Sequence, residues 1–184
     1  MPAIIENERK VVVLQEGRFL RLVCKNGWEY VERSNCSGIV IIIAMTNDKK
    51  VILTEQYRVP VGKRVVEFPA GLVNDHNKKE KESLTTAAKR ELLEETGYRA
   101  KRWVRLTHGP SASGSSADNI TLFLAQGLRK VAAGGGDETE AITLHEISLS
   151  KVPVWLREKQ KKSVLVDPKV YAGLYFLQKY NGND

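Results

Sequence analysis

The chain has 184 residues, of which 42% are apolar, so it can bury the hydrophobic core of one domain with or without an appendage. No apolar run approaches the roughly 20 residues of a membrane helix, and two cysteines exclude a disulfide framework, so we expect a cytoplasmic protein without a membrane partner. The net charge of +7 suits anionic small molecules, whereas the scatter of Lys and Arg predicts no nucleic-acid surface.

The first part of the chain predicts short strands. Apolar runs at 11–14 and 19–23 are separated by a turn, and Trp28–Arg33 alternates between apolar and polar residues, as a half-buried strand does. We therefore predict a small antiparallel appendage over residues 1–36, followed by the main domain over residues 37–184.

The main domain begins with strand patterns. Residues 38–44 are continuously apolar, which is typical of a strand buried on both faces. A turn signal at 47–48 follows, and a second strand pattern with an apolar beginning covers 51–58. We therefore predict that the strands at 38–44 and 51–58 pair as a hairpin. Residues 65–71 form a further strand pattern, which Pro69 interrupts.

A helix with an acidic face follows. Ser83, Thr85 or Thr86 can cap its start, and Gly97 stands where a left-handed residue would end it. Three acids occupy positions i, i+3 and i+4 and so share one face: Glu91, Glu94 and Glu95. These like charges repel, and a hard cation such as Mg²⁺ or Mn²⁺ would compensate them. By spacing alone, a solvated acidic face remains an equal alternative.

The order of residues in this helix resembles the Nudix box. The matching run is Glu82, seven residues, Arg90-Glu91-Leu92, one residue, Glu94-Glu95, one residue, Gly97 and Tyr98. Ten residues rather than five separate Gly71 from Glu82, which indicates a polar insert at 74–81, and Tyr98 replaces the usual aliphatic residue. The chain is thus identified by resemblance as a Nudix hydrolase.

Two further runs resemble the branch of this family that hydrolyses ADP-ribose and other nucleoside diphosphate sugars. They are Glu55-Gln56-Tyr57-Arg58 and Glu67-Phe68-Pro69-Ala70-Gly71. The resemblance implies an α/β (α+β) fold with a mixed β-sheet between helices. It also implies an N-terminal sheet exchanged across a homodimer, and Mg²⁺- or Mn²⁺-dependent cleavage of a nucleotide sugar.

The same resemblance implies roles for individual residues. It makes the Ala70 carbonyl, Glu91, Glu94 and Glu95 the metal ligands, with Glu95 and Arg90 counted in the catalytic machinery and Arg90 bracing the carboxylates. It assigns Trp28 to stacking on the base with Arg33 nearby, Glu67 to the nucleoside pocket and Arg58 to a phosphate. A core or interface role for Trp28, and a surface salt bridge for Arg58, remain open.

Past the helix, a strand pattern at 102–106 leads into a Gly- and Ser-rich loop at 108–119, and 120–125 is again a strand pattern. The loop is either a connector or a substrate rim, and in the second case we expect Ser113 and Gly114 to contact substrate. ADP-ribose-specific relatives usually carry a proline about sixteen residues past the box. This chain has Ser113-Gly114-Ser115 there, and its proline, Pro110, comes earlier, which weakens the preference for ADP-ribose over other sugars.

A glycine run at 134–136 precedes a group of acids. The resemblance implies a general base in this loop, for which we choose Glu140 first and Glu138 second; a solvated acidic turn is the alternative. The remaining patterns predict a strand at 142–147 and two helices, at 149–160 and 168–180, that cover the sheet.

Two alternatives to a nucleotide-sugar hydrolase remain at this stage. One is a Nudix enzyme for another nucleotide, such as a dinucleoside polyphosphate, a damaged nucleotide or a capped RNA end. The other is a non-hydrolytic nucleotide-sensing module, against which the three acids of the helix argue, because a binding module has no need of a repulsive metal-binding face.

Overall fold

The N-terminal segment forms a separate antiparallel sheet in the computed structural model, which describes residues 10–34, 36–74, 82–136 and 141–181. Its strands are β1 (Val12–Glu16), β2 (Leu20–Lys25) and β3 (Trp28–Arg33), in that order. Asn26 and Gly27 take positive φ angles of 57° and 81° in the two-residue turn between β2 and β3, as a tight hairpin turn requires. The predicted strand appendage is confirmed.

The main sheet has eight strands within the described residues. The first four are β4 (Gly38–Met45), β5 (Lys50–Arg58), β6 (Lys63–Glu67) and β7 (Ala70–Val73), and helix α1 (Leu84–Thr96) follows them. Then come β8 (Tyr98–Arg99), β9 (Arg102–Pro110), β10 (Asn119–Gln126), β11 (Arg129–Lys130), β12 (Thr143–Ser148), α2 (Val152–Lys161), β13 (Leu165–Val166) and α3 (Pro168–Asn181). The order is β13-β6-β5-β4-β10-β9, with β12 paired to β5 and β7 to β4, and β8 pairs with β11 apart from it. Because β4 runs parallel to β10 and antiparallel to β5, the sheet is mixed, as predicted.

Alternate residues of β4 point into two different cores. Ile41 and Ile43 pack in the cluster that contains residues of α2 and α3, whereas Val40 and Ile42 pack with the buried alanines and leucine of α1. Helix α1 therefore covers one face of the sheet, and α2 and α3 cover the other. This confirms the predicted sheet between helices and explains why β4 is apolar at every position.

The sheet divides along β4. Its first half pairs with β7, from Gly38↔Val73 to Ile41↔Ala70, and only its last two residues pair with β5. At the division, the Ile42 N–H donates to the Pro69 carbonyl at 2.8 Å. The predicted hairpin is thus short, because Pro69 turns the chain and a second strand takes the other half of the edge.

Two predicted boundaries differ from the structure. The loop at 108–119 is shorter, since β9 continues to Pro110 and β10 begins at Asn119. The helix at 149–160 begins with a 3₁₀ turn, Leu149–Lys151, because Pro153 lacks the N–H of a helix interior and suits the first turn of α2. None of the helices in the described ranges combines the length and the apolar character needed to span a membrane.

Candidate active site

Helix α1 brings buried acids to the edge of the sheet. The Ser83 hydroxyl caps its start by accepting the Thr86 N–H at 3.1 Å, and Gly97 ends it with a φ of 71°. Glu91 and Glu95 are only 8% and 4% exposed. Buried carboxylates are costly unless they are compensated, so this face is unlike an ordinary solvated helix surface.

Strand β7 lies directly against these acids. The Ala70 N–H donates to Glu95 Oε2 at 3.2 Å. A Cβ atom added to Gly71 would overlap the Glu91 carboxylate, so the absence of a side chain there lets strand and carboxylate come together. The two halves of the predicted motif, strand end and helix, therefore meet in space.

A single guanidinium connects three of the acids, and we call Arg90 with Glu82, Glu91 and Glu94 the Arg90 cluster. Arg90 Nη1 donates to Glu91 at 2.8 Å and to Glu94 at 3.1 Å, while Nε donates to Glu82 at 3.1 Å. Nη2 also donates to the Leu72 carbonyl at 2.9 Å. Burial lowers the pKa of Arg90, but contact with Glu82 and Glu91 outweighs this and raises it above its ordinary value. Arg90 thus contacts all three acids at once, and its bracing role stays a prediction.

The insert in the motif leaves Glu82 in place. Asn74 closes it by donating its N–H to the Glu82 carboxylate at 3.2 Å and by accepting the Glu82 N–H on its side chain. Residues 75–81 lie outside the described part of the chain. These reciprocal bonds hold Asn74 and Glu82, the described residues on either side of the insert, next to each other.

The donor set fits a hard divalent cation. Carboxylate and carbonyl oxygens are the ligands that Mg²⁺ and Mn²⁺ prefer, and the charge of three carboxylates exceeds that of Arg90. Glu91 and Glu94 turn towards Arg90 here, and no group of three or more His, Cys, Asp or Glu side chains is gathered as a ready metal cage in the described ranges. The acids would have to turn from Arg90 to hold an ion.

A cavity of about 660 Å³ opens beside these acids. Seven of the residues predicted for the site line it: Arg33, Arg58, Glu67, Ala70, Arg90, Glu91 and Glu94. It joins elements from both faces of the sheet and from the N-terminal appendage. Glu95 does not line the cavity, but its carboxylate accepts the N–H of Ala70, which does.

Arg58 and Glu67 form an ion pair on the cavity wall. Arg58 Nε lies 2.7 Å from Glu67 Oε2, and the two residues come from the neighbouring strands β5 and β6. The sequence predicted separate roles for them, on a phosphate and on the nucleoside. The pairing orients the guanidinium, and Arg58 remains 41% exposed on its side chain.

The N-terminal appendage docks on the Gly- and Ser-rich loop. Trp28 Nε1 donates to the Gly114 carbonyl at 3.1 Å, and Arg33 pairs with Asp118 at 3.2 Å. Trp28 is 64% exposed and, like Ser113 and Gly114, does not line the cavity. The structure therefore brings Arg33 to the cavity and leaves Trp28 at the rim of the loop.

The glycine run is fastened to the end of α1. The N–H groups of Gly135 and Gly136 donate to the carbonyls of Glu95 and Glu94 at 2.8 and 3.1 Å, and Gly136 lines the cavity. Glycines 134–136 all take positive φ angles, which permits this approach. The two predicted bases, Glu138 and Glu140, lie outside the described residues.

Sequence reasoning missed several lining residues, above all Asp118 and Lys169. Each has an unusual local feature, but neither feature locates the residue at the cavity. Asp118 is the sole acid between Glu95 and Asp137, and Lys169 is a cation in the first turn of a helix, where the helix dipole disfavours it.

A second charged cluster lies away from the cavity lining, and we call it the Glu55 cluster. Glu55 is 5% exposed and accepts bonds from Lys159, Arg64 and His145 at 2.5, 2.7 and 2.9 Å. Burial alone would raise the pKa of Glu55, but these partners outweigh it and lower the pKa to about 2. Burial also lowers the pKa of His145. The cluster joins β6, β12 and α2 to β5.

Comparison with known proteins identifies the part of the chain that contains the acids of α1. Residues 37–166 match the sequence model of the NUDIX domain. A methanol dehydrogenase activator from Bacillus methanolicus is 37% identical over 142 residues, which cover 77% of this chain and 72% of that protein. An ADP-ribose pyrophosphatase from Bacillus subtilis (strain 168) is 29% identical over the same length and coverage.

A solved structure shares the fold. The crystal structure of an ADP compounds hydrolase superposes with a TM-score of 0.68 and 21% identity, and covers 93% of this chain and 91% of that one. At this low identity, the likeness shows the fold alone.

Proposed function

Since this chain belongs to the Nudix hydrolase family, we propose that it hydrolyses the pyrophosphate bond of nucleoside diphosphate sugars such as ADP-ribose. The products would be a nucleoside monophosphate and a sugar phosphate. One observation carries the proposal: the buried acids of α1 border a cavity that also presents Arg58 and Arg33. The relative named ADP-ribose pyrophosphatase supports the choice of substrate.

We propose the Ala70 carbonyl, Glu91, Glu94 and Glu95 as the residues that hold Mg²⁺ or Mn²⁺. Such a cation, when bound, offsets phosphate charge and lowers the pKa of water. Burial of Glu91 and Glu95 supports this role, because a low-dielectric site strengthens the attraction between carboxylate and cation. Arg90 keeps the carboxylates together and offsets part of their repulsion.

The remaining residues bind and orient the substrate. Arg58, fixed by Glu67, can donate its outer N–H groups to a phosphate, a geometry that suits a guanidinium. Arg33, fixed by Asp118, brings a second cation to the cavity. The exposed ring of Trp28 is available to stack on a base at the rim, with Ser113 and Gly114 beside it.

Glu140 is our proposed general base, with Glu138 as the second choice. The attachment of Gly135 and Gly136 to the end of α1 supports it, since the loop starts beside the acidic face. Glu140→Gln should lower kcat far more than it raises KM, and Glu138→Gln should not. If only Glu138→Gln lowers kcat, the base is Glu138.

Three further proposals concern the whole protein. We propose a homodimer formed through residues 1–36, and the exposed apolar side chains of β1 and β2 support it. We also propose a hydrolase domain over 37–184, and the start of the family match at residue 37 supports it. A cytoplasmic location accords with the low cysteine content. Light scattering, with and without the appendage, tests the dimer.

The test of function is a substrate panel with ADP-ribose, ADP-glucose, GDP-mannose, a dinucleoside polyphosphate and a nucleoside triphosphate, each with Mg²⁺, Mn²⁺ or chelator. We expect metal-dependent cleavage of the diphosphate sugars alone. Cleavage confined to the polyphosphates would move the enzyme to another substrate class. Nucleotide binding without cleavage of any compound would favour a sensing module.

A further inference from the structure

We propose that Lys169 is a substrate-binding residue that contacts a phosphate oxygen of the nucleotide from the side of the cavity opposite the acids. This inference rests on the proposed function for the identity of the substrate. Lys169 lies in the first turn of α3 and lines the same cavity as Glu91 and Glu94. No motif of the sequence points to it.

The two helices reach the cavity from different faces of the sheet. Helix α3 packs against Ile41 and Ile43, and α1 packs against Val40 and Ile42, which point the other way. Both helices contribute to the cavity lining, α1 through Glu91 and Glu94 and α3 through Lys169. A molecule bound there therefore has the acids of α1 on one side and the Lys169 ammonium on the other.

The position of Lys169 is fixed by its neighbour. Asp167 Oδ2 lies 2.5 Å from Lys169 Nζ, and Asp167 Oδ1 accepts the Lys169 N–H at 2.7 Å. The Asp167 N–H donates to the carbonyl of Val66 at 3.0 Å, and Val66 directly precedes Glu67 on the cavity wall. The ammonium is thus tied, through Asp167, to strand β6, which also carries Glu67.

Lys169 differs from the other cations of the cavity in where its counter-ion lies. Arg33, Arg58 and Arg90 pair with carboxylates that themselves line the cavity: Asp118, Glu67, Glu91 and Glu94. Asp167, the partner of Lys169, is not part of the lining. Lys169 therefore adds positive charge to the cavity wall without adding a facing carboxylate.

The chemistry of the side chain suits a phosphate. An ammonium group has three donors and acts as a point charge, and the side chain of Lys169 is 41% exposed, so it can donate to a ligand while it remains paired with Asp167. A diphosphate between Lys169 and a cation held by the acids would be bound from both sides. This favours substrates that carry two adjacent phosphates.

The experiment compares Lys169→Met with Lys179→Met, which removes the same charge from the other end of α3. We expect Lys169→Met to weaken binding of ADP, measured by calorimetry in chelator, about tenfold and to raise KM for ADP-ribose about tenfold, with kcat changed less than threefold. Lys169→Arg should restore most of the affinity, and Lys179→Met should resemble the wild type. Thermal melts check that each variant is folded.

Equal ADP binding by the wild type and Lys169→Met, including the case in which neither binds, would overturn the inference. The result does not depend on turnover. If Lys169→Met alone loses ADP affinity and no nucleotide sugar is cleaved, the phosphate contact stands and the proposed hydrolysis fails.

Discussion

The Arg90 cluster and the Glu55 cluster are opposites in charge. In the first, one guanidinium is shared by three carboxylates beside the cavity. In the second, one buried carboxylate is shared by two cations and a histidine, away from the cavity lining. The excess of negative charge leaves room for a metal ion, whereas the Glu55 carboxylate is fully used in joining strands and helix. On the proposed function, the sign of the excess would separate a cluster that serves the metal site from one that holds the fold together.

The largest expected effect is on activity, at the acidic face of α1 beside the Arg90 cluster. Glu95→Gln should lower kcat on the order of 10³-fold, or about 4 kcal/mol, because it removes a charged ligand from the proposed metal site. Folding should survive, since the amide oxygen can still accept the Ala70 N–H and one repulsion is lost. Hydrolysis of ADP-ribose and a denaturant melt measure the two quantities.

Glu158→Gln is the control for that experiment, because Glu158 pairs with Lys161 on the exposed side of α2. It should leave kcat unchanged. A Glu95→Gln enzyme as active as this control would remove Glu95 from the metal site.

The second effect is on stability, in the Glu55 cluster. Glu55→Gln should lower the free energy of unfolding by about 3 kcal/mol, because it leaves Lys159 and Arg64 without their buried counter-ion. The folded variant should keep the kcat of the wild type. Chemical denaturation of both proteins measures the difference.

The same surface variant serves as a control, since exposed pairs contribute only about 0–1 kcal/mol. If Glu55→Gln unfolds no more readily than Glu158→Gln, the Glu55 cluster is not structural. If Glu55→Gln lost activity without losing stability, Glu55 would have a role in function and not in structure.

A third change tests the close approach of strand and helix. Gly71→Ala would place a methyl group on the Glu91 carboxylate, and the displaced acid should lower kcat/KM about 10- to 100-fold. Gly38→Ala is the matched control, because its Cβ would lie 3.5 Å from Leu84 Cδ2, an ordinary contact. Equal rates for both variants would mean that the position of Glu91 is not critical.

The smallest expected effect is the pH dependence of the Glu55 cluster. A carboxylate with a pKa of about 2 when folded and 4.5 when unfolded stabilises the protein above pH 4.5 and loses that contribution as the pH falls. The stability difference between wild type and Glu55→Gln should therefore shrink by about 1.4 kcal/mol between pH 6 and pH 3.5. Urea titrations at both pH values measure it, and a constant difference would contradict the lowered pKa.

Local patterns predicted much of the fold. The caps Ser83 and Gly97 and the spacing of the acids gave the limits and the acidic face of α1, and Pro69 marked the break between β6 and β7. These features depend on residues close in sequence, where propensity and capping decide the structure.

Contacts between distant residues could not be predicted in this way. Asp118 reaches Arg33 across 85 positions, and Lys169 reaches the cavity only because α3 packs on the opposite face from α1. Glu55 looked like part of a substrate motif, yet its partners come from β6, β12 and α2. Such assemblies follow from topology, which a single sequence specifies only indirectly.

The most direct test of the comparison is Mn²⁺ binding, followed by electron paramagnetic resonance of the free ion, in three proteins. The wild type and Glu55→Gln should take up Mn²⁺ with equal affinity, and Glu95→Gln should bind it at least tenfold more weakly. Equal Mn²⁺ affinity in Glu95→Gln and the wild type would contradict the assignment of the metal to the acidic face of α1.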